Sequence, residues 1–134
     1  MTDEAKKVIL VVEDDPILKN ILGHTFTAEK YQTVYASDGN EAIEFFNTFK
    51  PILILLDLML PTVDGFTVLQ KLRAREDEGK TVPIIIFSNL GQAGDRDKAK
   101  ALGATDYLVK AEVDIEEISA KIEAILAGTT ATPQ

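Results

Sequence analysis

The stretch Ile52-Leu53-Ile54-Leu55-Leu56-Asp57-Leu58-Met59-Leu60-Pro61 constrains the fold most. Five aliphatic residues end on one carboxylate, and a proline-marked loop follows. A run this short, set between Pro51 and Pro61, suits a strand buried on both faces rather than a helix segment. Similar runs recur. Val8 to Val12 stops at Glu13-Asp14-Asp15 before Pro16, Val82 to Phe87 stops at Ser88-Asn89, and Tyr107 to Val109 stops at Lys110. A shorter strand is expected over Tyr31 to Ala36. Between the strands the apolar period becomes helical. Asp15-Pro16 reads as a helix start, with Asp15 as N-cap, and Ile17, Leu18, Ile21, Leu22 and Phe26 then share one face. Gly39 to Phe49 is expected to bury Ala42, Phe45 or Phe46, and Phe49. After Asp64-Gly65, a third helix turns Phe66, Leu69 and Leu72 inward. Glu76 to Lys80 reads as a solvated loop. A fourth helix around Asp95 to Leu102 offers mainly alanines for packing, whereas Ile115, Ile118, Ile122 and Ile125 form a clean stripe on a fifth. Strand then helix, repeated five times, requires a parallel sheet with helices on both faces, because parallel strands need crossover connections.

With 134 residues and neither repeats nor a linker, the chain reads as one domain over 1–127, followed by a flexible small-residue tail over 128–134. The absence of cysteine excludes disulfides, thiolate zinc sites and cysteine nucleophiles. A formal net charge of -8 argues against non-specific binding to nucleic acid or to anionic membranes. Met1 to Lys7 lacks the apolar core of a signal peptide, and no stretch approaches the ~20 apolar residues of a spanning helix. The expected compartment is the cytosol.

Polar residues interrupt the apolar pattern at strand ends: Glu13 and Asp14, then Asp57, Ser88 and Lys110. Three carboxylates in one crevice repel one another unless something compensates. A hard divalent cation does so economically. Mg²⁺, with Mn²⁺ as a substitute, takes oxygen ligands and usually one or two carboxylates. A lysine and a hydroxyl would complete a site for a phosphoryl group. His24, the lone histidine, lies within the first helix and reads as surface or packing detail. Ser88 has no nearby base. Asp57 is left as the group that is chemically changed, since carboxylates accept phosphoryl groups as acyl phosphates. Lys110 would add a second positive charge, so the chemistry would be mostly positioning and electrostatics.

Together, Val11-Val12-Glu13-Asp14, Asp57 to Pro61, Asp64-Gly65, Ser88, Gly103-Ala104 and Tyr107 to Lys110 resemble a response-regulator receiver domain of two-component signalling, over about Lys7 to Ala127. That resemblance implies a flavodoxin-like sheet ordered 2-1-3-4-5. It implies that Asp57 accepts phosphoryl from a histidine kinase or a histidine phosphotransfer protein. It implies that Asp14 and Asp57 bind Mg²⁺ directly, that Glu13 acts through water, and that the Met59 backbone carbonyl is a further ligand. Ser88 becomes the hydroxyl that moves to the phosphoryl oxygen, Lys110 the phosphate partner, and Tyr107 the aromatic that changes rotamer. Self-catalysed phosphorylation and dephosphorylation are expected rather than turnover of an external substrate. The chain is expected to be a monomer or weak homodimer that signals to an unknown downstream protein through its fourth helix, fifth strand and fifth helix.

The sequence departs from the family pattern at Ala111, where a proline, joined to the lysine by a cis bond, is usual. Outside proline a cis bond costs ~2.5–4 kcal/mol, so either the bond is trans and the loop differs, or strain is stored beside the site. Met59 and Leu90 are expected to shield the acyl phosphate from water. Three other readings compete. A phosphatase using an aspartyl intermediate needs a second acid two residues after Asp57, where Met59 stands. A nucleotide- or flavin-binding module needs glycines and hydroxyls where Glu13-Asp14-Asp15 stands. A phosphorylation-independent interaction module finds its best argument in Ala111. The start at Met1 favours a stand-alone receiver over a fragment of a longer protein.

Overall fold

The computed structural model describes residues 7–28 and 31–130. Strands β1 (Val8–Val12), β2 (Gln32–Ala36), β3 (Leu53–Leu56), β4 (Ile84–Ser88) and β5 (Asp106–Val109) alternate with helices α1 (Pro16–Ala28), α2 (Gly39–Phe49), α3 (Gly65–Arg73), α4 (Ala93–Ala101) and α5 (Ile115–Thr130). The five strands are parallel and ordered β2-β1-β3-β4-β5. The chain therefore starts mid-sheet, steps to one edge and returns past its own start. A crevice opens where the order reverses, at the carboxyl ends of β1 and β3. The register Val12↔Leu56 puts the next residues, Glu13 and Asp57, at one level above that crevice.

The apolar runs lack alternation because both sheet faces are covered. Leu10, Val12, Ile54, Leu56, Ile84 and Ile86 meet α2 and α3 through Ala42, Phe46, Val68, Leu69 and Leu72. Ile9, Val11, Leu53, Leu55, Ile85 and Phe87 meet α1 and α5 through Leu22, Phe26, Ile118 and Ile122. Each fully buried aliphatic side chain contributes about 1.5–3 kcal/mol, so these two layers hold the site's floor rigid.

Three packing expectations are corrected. On α1 only Leu22 and Phe26 are sealed, while Ile17 is 72% and Ile21 42% exposed, because the apolar face is wider than the strip that the sheet covers. On α2 Phe46 is the buried aromatic, and Phe49 is 40% exposed. Phe49 is the last residue of its helix and sets its ring edge-on against Phe45, 5.8 Å away. The loop expected to be solvated contains a 3₁₀ turn, Glu78–Lys80, with Gly79 buried. Arg73 explains it: Nη1 donates to the Gly79 carbonyl at 3.0 Å and Nε to the Gly103 carbonyl at 2.9 Å. This fork ties α3 to the segments that lead into β4 and β5.

Helix α4 matches its weak sequence pattern. Ala99 is its buried residue, and Gln92 at its N-cap makes no side-chain capping bond. On the α3 side, the Lys98 ammonium lies 4.3 Å from the centre of the Phe66 ring. Gly94 is exposed, and a Cβ added there would meet nothing within 4 Å. Gly94→Ala is therefore expected to raise stability by about 0.5 kcal/mol, by restricting the unfolded chain. A urea midpoint that does not rise would contradict this.

Helix α5 continues to Thr130, and residues 131–134 of the expected tail lie outside the described residues, as do residues 1–6. Among the described residues there is no cis peptide bond, so Lys110–Ala111 is trans. The family-style cis bond is absent, and the chain turns through a short 3₁₀ segment, Lys110–Glu112, instead. Among the described residues no helix is long and apolar enough to cross a membrane.

Candidate functional site

Strand pairing assembles the site. Asp57 N–H donates to the Val12 carbonyl at 3.0 Å, and Glu13 N–H to the Ala36 carbonyl at 2.9 Å. Both carboxylates are nearly sealed, Glu13 at 2% and Asp57 at 4% exposure, whereas Asp14 beside them faces solvent. One oxygen from each of the three lies within 4.8 Å of the other two. Lys110 reaches in from the end of β5. Its Nζ stands 2.7 Å from Asp57 Oδ2 and 2.7 Å from Glu13 Oε1. The Phe87 ring centre is 5.6 Å from the same ammonium and supplies an apolar wall.

The remaining carboxylate oxygens are held by backbone. Asp57 Oδ1 accepts the Met59 N–H at 3.0 Å, and Glu13 Oε2 accepts the Asp15 N–H at 3.1 Å. Asp15 does cap α1: its Oδ1 accepts the Ile17 N–H at 2.9 Å. Burial pushes the Glu13 carboxyl above its usual range, against the lowering effects of Lys110 and of the Asp15 amide. Burial pulls Lys110 the other way, yet its bonds to Asp57 and Glu13 outweigh burial and hold the ammonium's pKa above the usual lysine value. Buried charges persist only when paired in this manner.

Ser88 is fully buried at the end of β4, and its hydroxyl oxygen accepts the Leu90 N–H at 3.3 Å. The Tyr107 hydroxyl donates to the Leu90 carbonyl. Both residues thus grip one loop, on the lysine's side of Asp57. Met59 is 59% exposed, and Leu90 packs partly buried against the core. His24 stays on the exposed side of α1, with Nδ1 3.1 Å from the Asn20 carbonyl, and takes no part.

Oxygen ligands alone line the acidic cluster, which suits a hard divalent cation. Glu13 Oε1 strengthens the fit. It is buried, and the Lys110 ammonium at 2.7 Å is its one partner among the described residues. Sequence reasoning missed two contributors, the Asp15 amide on Glu13 and the Phe87 wall, and it named Gly65 within the Asp64-Gly65 motif without giving it a role. Gly65 N–H donates to the Leu58 carbonyl at 3.0 Å, in a gap where a Cβ would stand 2.3 Å from the Asp57 carbonyl oxygen. Its signal was present, since a glycine opening a helix directly after an N-cap aspartate points to close backbone approach.

Residues 9–123 match the family model described as the response regulator receiver domain. The chain belongs to that family. This receiver domain is 38% identical over 126 residues to the DNA-binding dual master transcriptional regulator RpaA of Synechocystis sp., a match covering 94% of this chain and 52% of RpaA. It thus spans about half the length of that curated relative. Among solved structures, it superposes on a two-component response regulator from Clostridium difficile with a TM-score of 0.86 at 26% identity, covering 94% of this chain and all of that one (100%). It also superposes on the receiver domain of the sensor histidine kinase PA1611 from Pseudomonas aeruginosa, with a TM-score of 0.79 at 29% identity over 90% of this chain and 97% of that one. That structure carries a magnesium ion coordinated in its active site cleft.

Proposed function

We propose that this receiver domain accepts a phosphoryl group on Asp57 from a histidine kinase or a histidine phosphotransfer protein. The observation that carries the reading is the buried Asp57 carboxylate, which shares the Lys110 ammonium with Glu13 and lies within 4.8 Å of Asp14. An Asp57 oxygen would form the new bond to phosphorus as the bond from phosphorus to the donor's imidazole nitrogen breaks, returning the imidazole. Glu13, Asp14, Asp57 and the Met59 carbonyl would hold Mg²⁺, or Mn²⁺ in its place. When bound, the cation neutralises charge on the transferred oxygens. Lys110 would exchange Asp57 Oδ2 for a phosphoryl oxygen, and Ser88 would turn its hydroxyl from Leu90 to another. Met59 and Leu90 would flank the product and slow its hydrolysis.

Exposed Ile17 and Ile21 on the helix after Asp15, with exposed Met59 beyond Asp57, supply an apolar landing surface for the phosphodonor. The net charge of -8 makes direct DNA contact unfavourable, so the proposed output is a protein contact through α4, β5 and α5, in the cytosol. No turnover of an external substrate is proposed. The competing module that does without phosphorylation drew its support from Ala111, yet Lys110 reaches Asp57 with a trans Ala111 in place.

The test is labelling by acetyl phosphate, read by intact mass. The protein is expected to gain a single phosphoryl group with Mg²⁺ present, little after chelation, and none as Asp57→Asn. Labelling that persists in Asp57→Asn would overturn the reading.

A further inference from the structure

Helix α4 has almost no apolar anchor, and on its β5 side one side chain takes that place. The Arg96 guanidinium carbon lies 5.2 Å from the centre of the Tyr107 ring. Its Nε donates to the Gly91 carbonyl at 3.5 Å, and its Nη2 is 3.8 Å from Glu112 Oε1. Those three partners belong to three segments. Gly91 follows Ser88 and Leu90, Tyr107 is in β5, and Glu112 closes the 3₁₀ turn that opens with Lys110. The Tyr107 hydroxyl bonds the Leu90 carbonyl of the same loop, so its ring is gripped at the tip by the loop and on its face by Arg96.

The ring also has somewhere else to go. A cavity of about 270 Å³ lies between α4 and β5, bordered by Arg96, Ala99, Lys100, Ala104 and Tyr107. Alanines border that space where larger side chains would have filled it. Arg96 and Glu112 are both exposed, at 43% and 69% of their side chains, so neither contact is strong. An exposed cation–π contact or surface ion pair changes an equilibrium by about fivefold or less. That scale suits a position meant to be released.

We propose that Arg96 is a latch: it holds the Tyr107 ring against the Leu90–Gly91 loop and, through Glu112, ties that arrangement to the turn carrying Lys110. The α4 face and the phosphoacceptor pocket would then change together, with Arg96 a positioning residue that never touches Asp57. The consequence for signalling rests on the proposed phosphoryl chemistry, whereas the latch itself belongs to the unphosphorylated protein. The trans turn matters here, because its last residue is the one that presents a carboxylate to α4.

Fluorine NMR of the full chain labelled with fluorotyrosine tests this. Tyr31 and Tyr35 pack on the opposite sheet face, against α1 and α5, and serve as internal references. Tyr107→Phe assigns the third resonance. Arg96→Ala is expected to move or split the Tyr107 signal, with roughly a fivefold change in the ratio of its two positions. Glu112→Gln should produce a smaller change in the same direction, and Arg96→Lys should retain part of the parent position. Lys98→Ala, which removes the ring contact on the α3 side, should leave Tyr107 unmoved. A Tyr107 signal unchanged in Arg96→Ala, or moved equally by Lys98→Ala, overturns the latch. If Arg96→Ala fails to fold, all three signals collapse together and Glu112→Gln decides, an unmoved Tyr107 there being the refuting result. Acetyl phosphate labelling of the same samples separates the two ideas. A parent that does not label defeats the phosphoacceptor reading and leaves the latch standing. Full labelling with an unmoved Tyr107 defeats the latch alone.

Discussion

Lys110→Met is expected to unfold more easily than the parent at neutral pH, by about 3 kcal/mol, because it leaves two buried carboxylates facing each other without their cation. The ammonium sits 2.7 Å from each of Asp57 and Glu13, and nothing else with a positive charge contacts either of them among the described residues. The pH dependence follows from the direction of the lysine's shift. Its pKa in the folded state is raised above the ordinary value, despite burial, by its bonds to Asp57 and Glu13. A raised pKa means that the folded state binds the proton more tightly. The stabilisation is therefore complete below the ordinary lysine value and is lost as pH rises through the folded one. Urea unfolding of the parent should show that alkaline loss, and Lys110→Met should lack it. Added Mg²⁺ should restore more stability to the variant than it adds to the parent, since a cation relieves the same repulsion. A variant as stable as the parent at neutral pH would refute this account.

Gly65→Ala should damage both the fold and the chemistry. The added methyl would lie 2.3 Å from the Asp57 carbonyl oxygen and 2.6 Å from Leu58 Cα, and both are backbone atoms that cannot rotate away. The α3 N-terminus or the end of β3 must then shift. A loss of about 2–3 kcal/mol is expected from that overpacking. Moving the Asp57 backbone also disturbs the geometry of transfer, so labelling by acetyl phosphate should slow by about tenfold or more. Urea unfolding and the labelling time course measure the two effects separately. Parent-like behaviour in both would mean that the close approach is not needed.

The three central strands, β1, β3 and β4, were legible because each is a short aliphatic run that ends on a polar residue, and a parallel sheet covered on both faces demands that pattern, whereas the edge strands β2 and β5 carry it only weakly. The strand order was not legible from periodicity. It came with the family resemblance, and the pairing of β1 between β2 and β3 agrees with it. Helix faces were legible only in outline. Periodicity groups Ile17 with Leu22, but it cannot say how wide a strip the sheet will cover, and Ile17 stays exposed. Phe45, Phe46 and Phe49 show the same difficulty at a helix end, where a shift of one position decides which ring is inward. At the site, Glu13, Asp14, Asp57, Ser88 and Lys110 announced themselves by interrupting apolar runs. Contacts that depend on tertiary approach had no such signal. The Glu13–Lys110 pair joins residues at opposite ends of the chain, and Arg73 bonds the backbone carbonyls of Gly79 and Gly103, an approach that nothing in the sequence pattern links to an arginine on α3.

Arg73 has a mechanical consequence for α4. Its guanidinium pins the Gly103 carbonyl, just past the last turn of α4, to the body of α3. The opposite end begins at Gln92 without a side-chain cap and follows directly from the Ser88–Gly91 loop. The helix is thus fixed at its Gly103 end, while its Gln92 end is held by the weaker, exposed contacts of Arg96, like a lever with its fulcrum at Gly103. A given tilt displaces the Gln92 end furthest, which is the end reached through the Ser88–Gly91 loop beside the Asp57 pocket. Any movement of the loop beside Asp57 would therefore be expressed mainly as rotation of α4 about its Gly103 end.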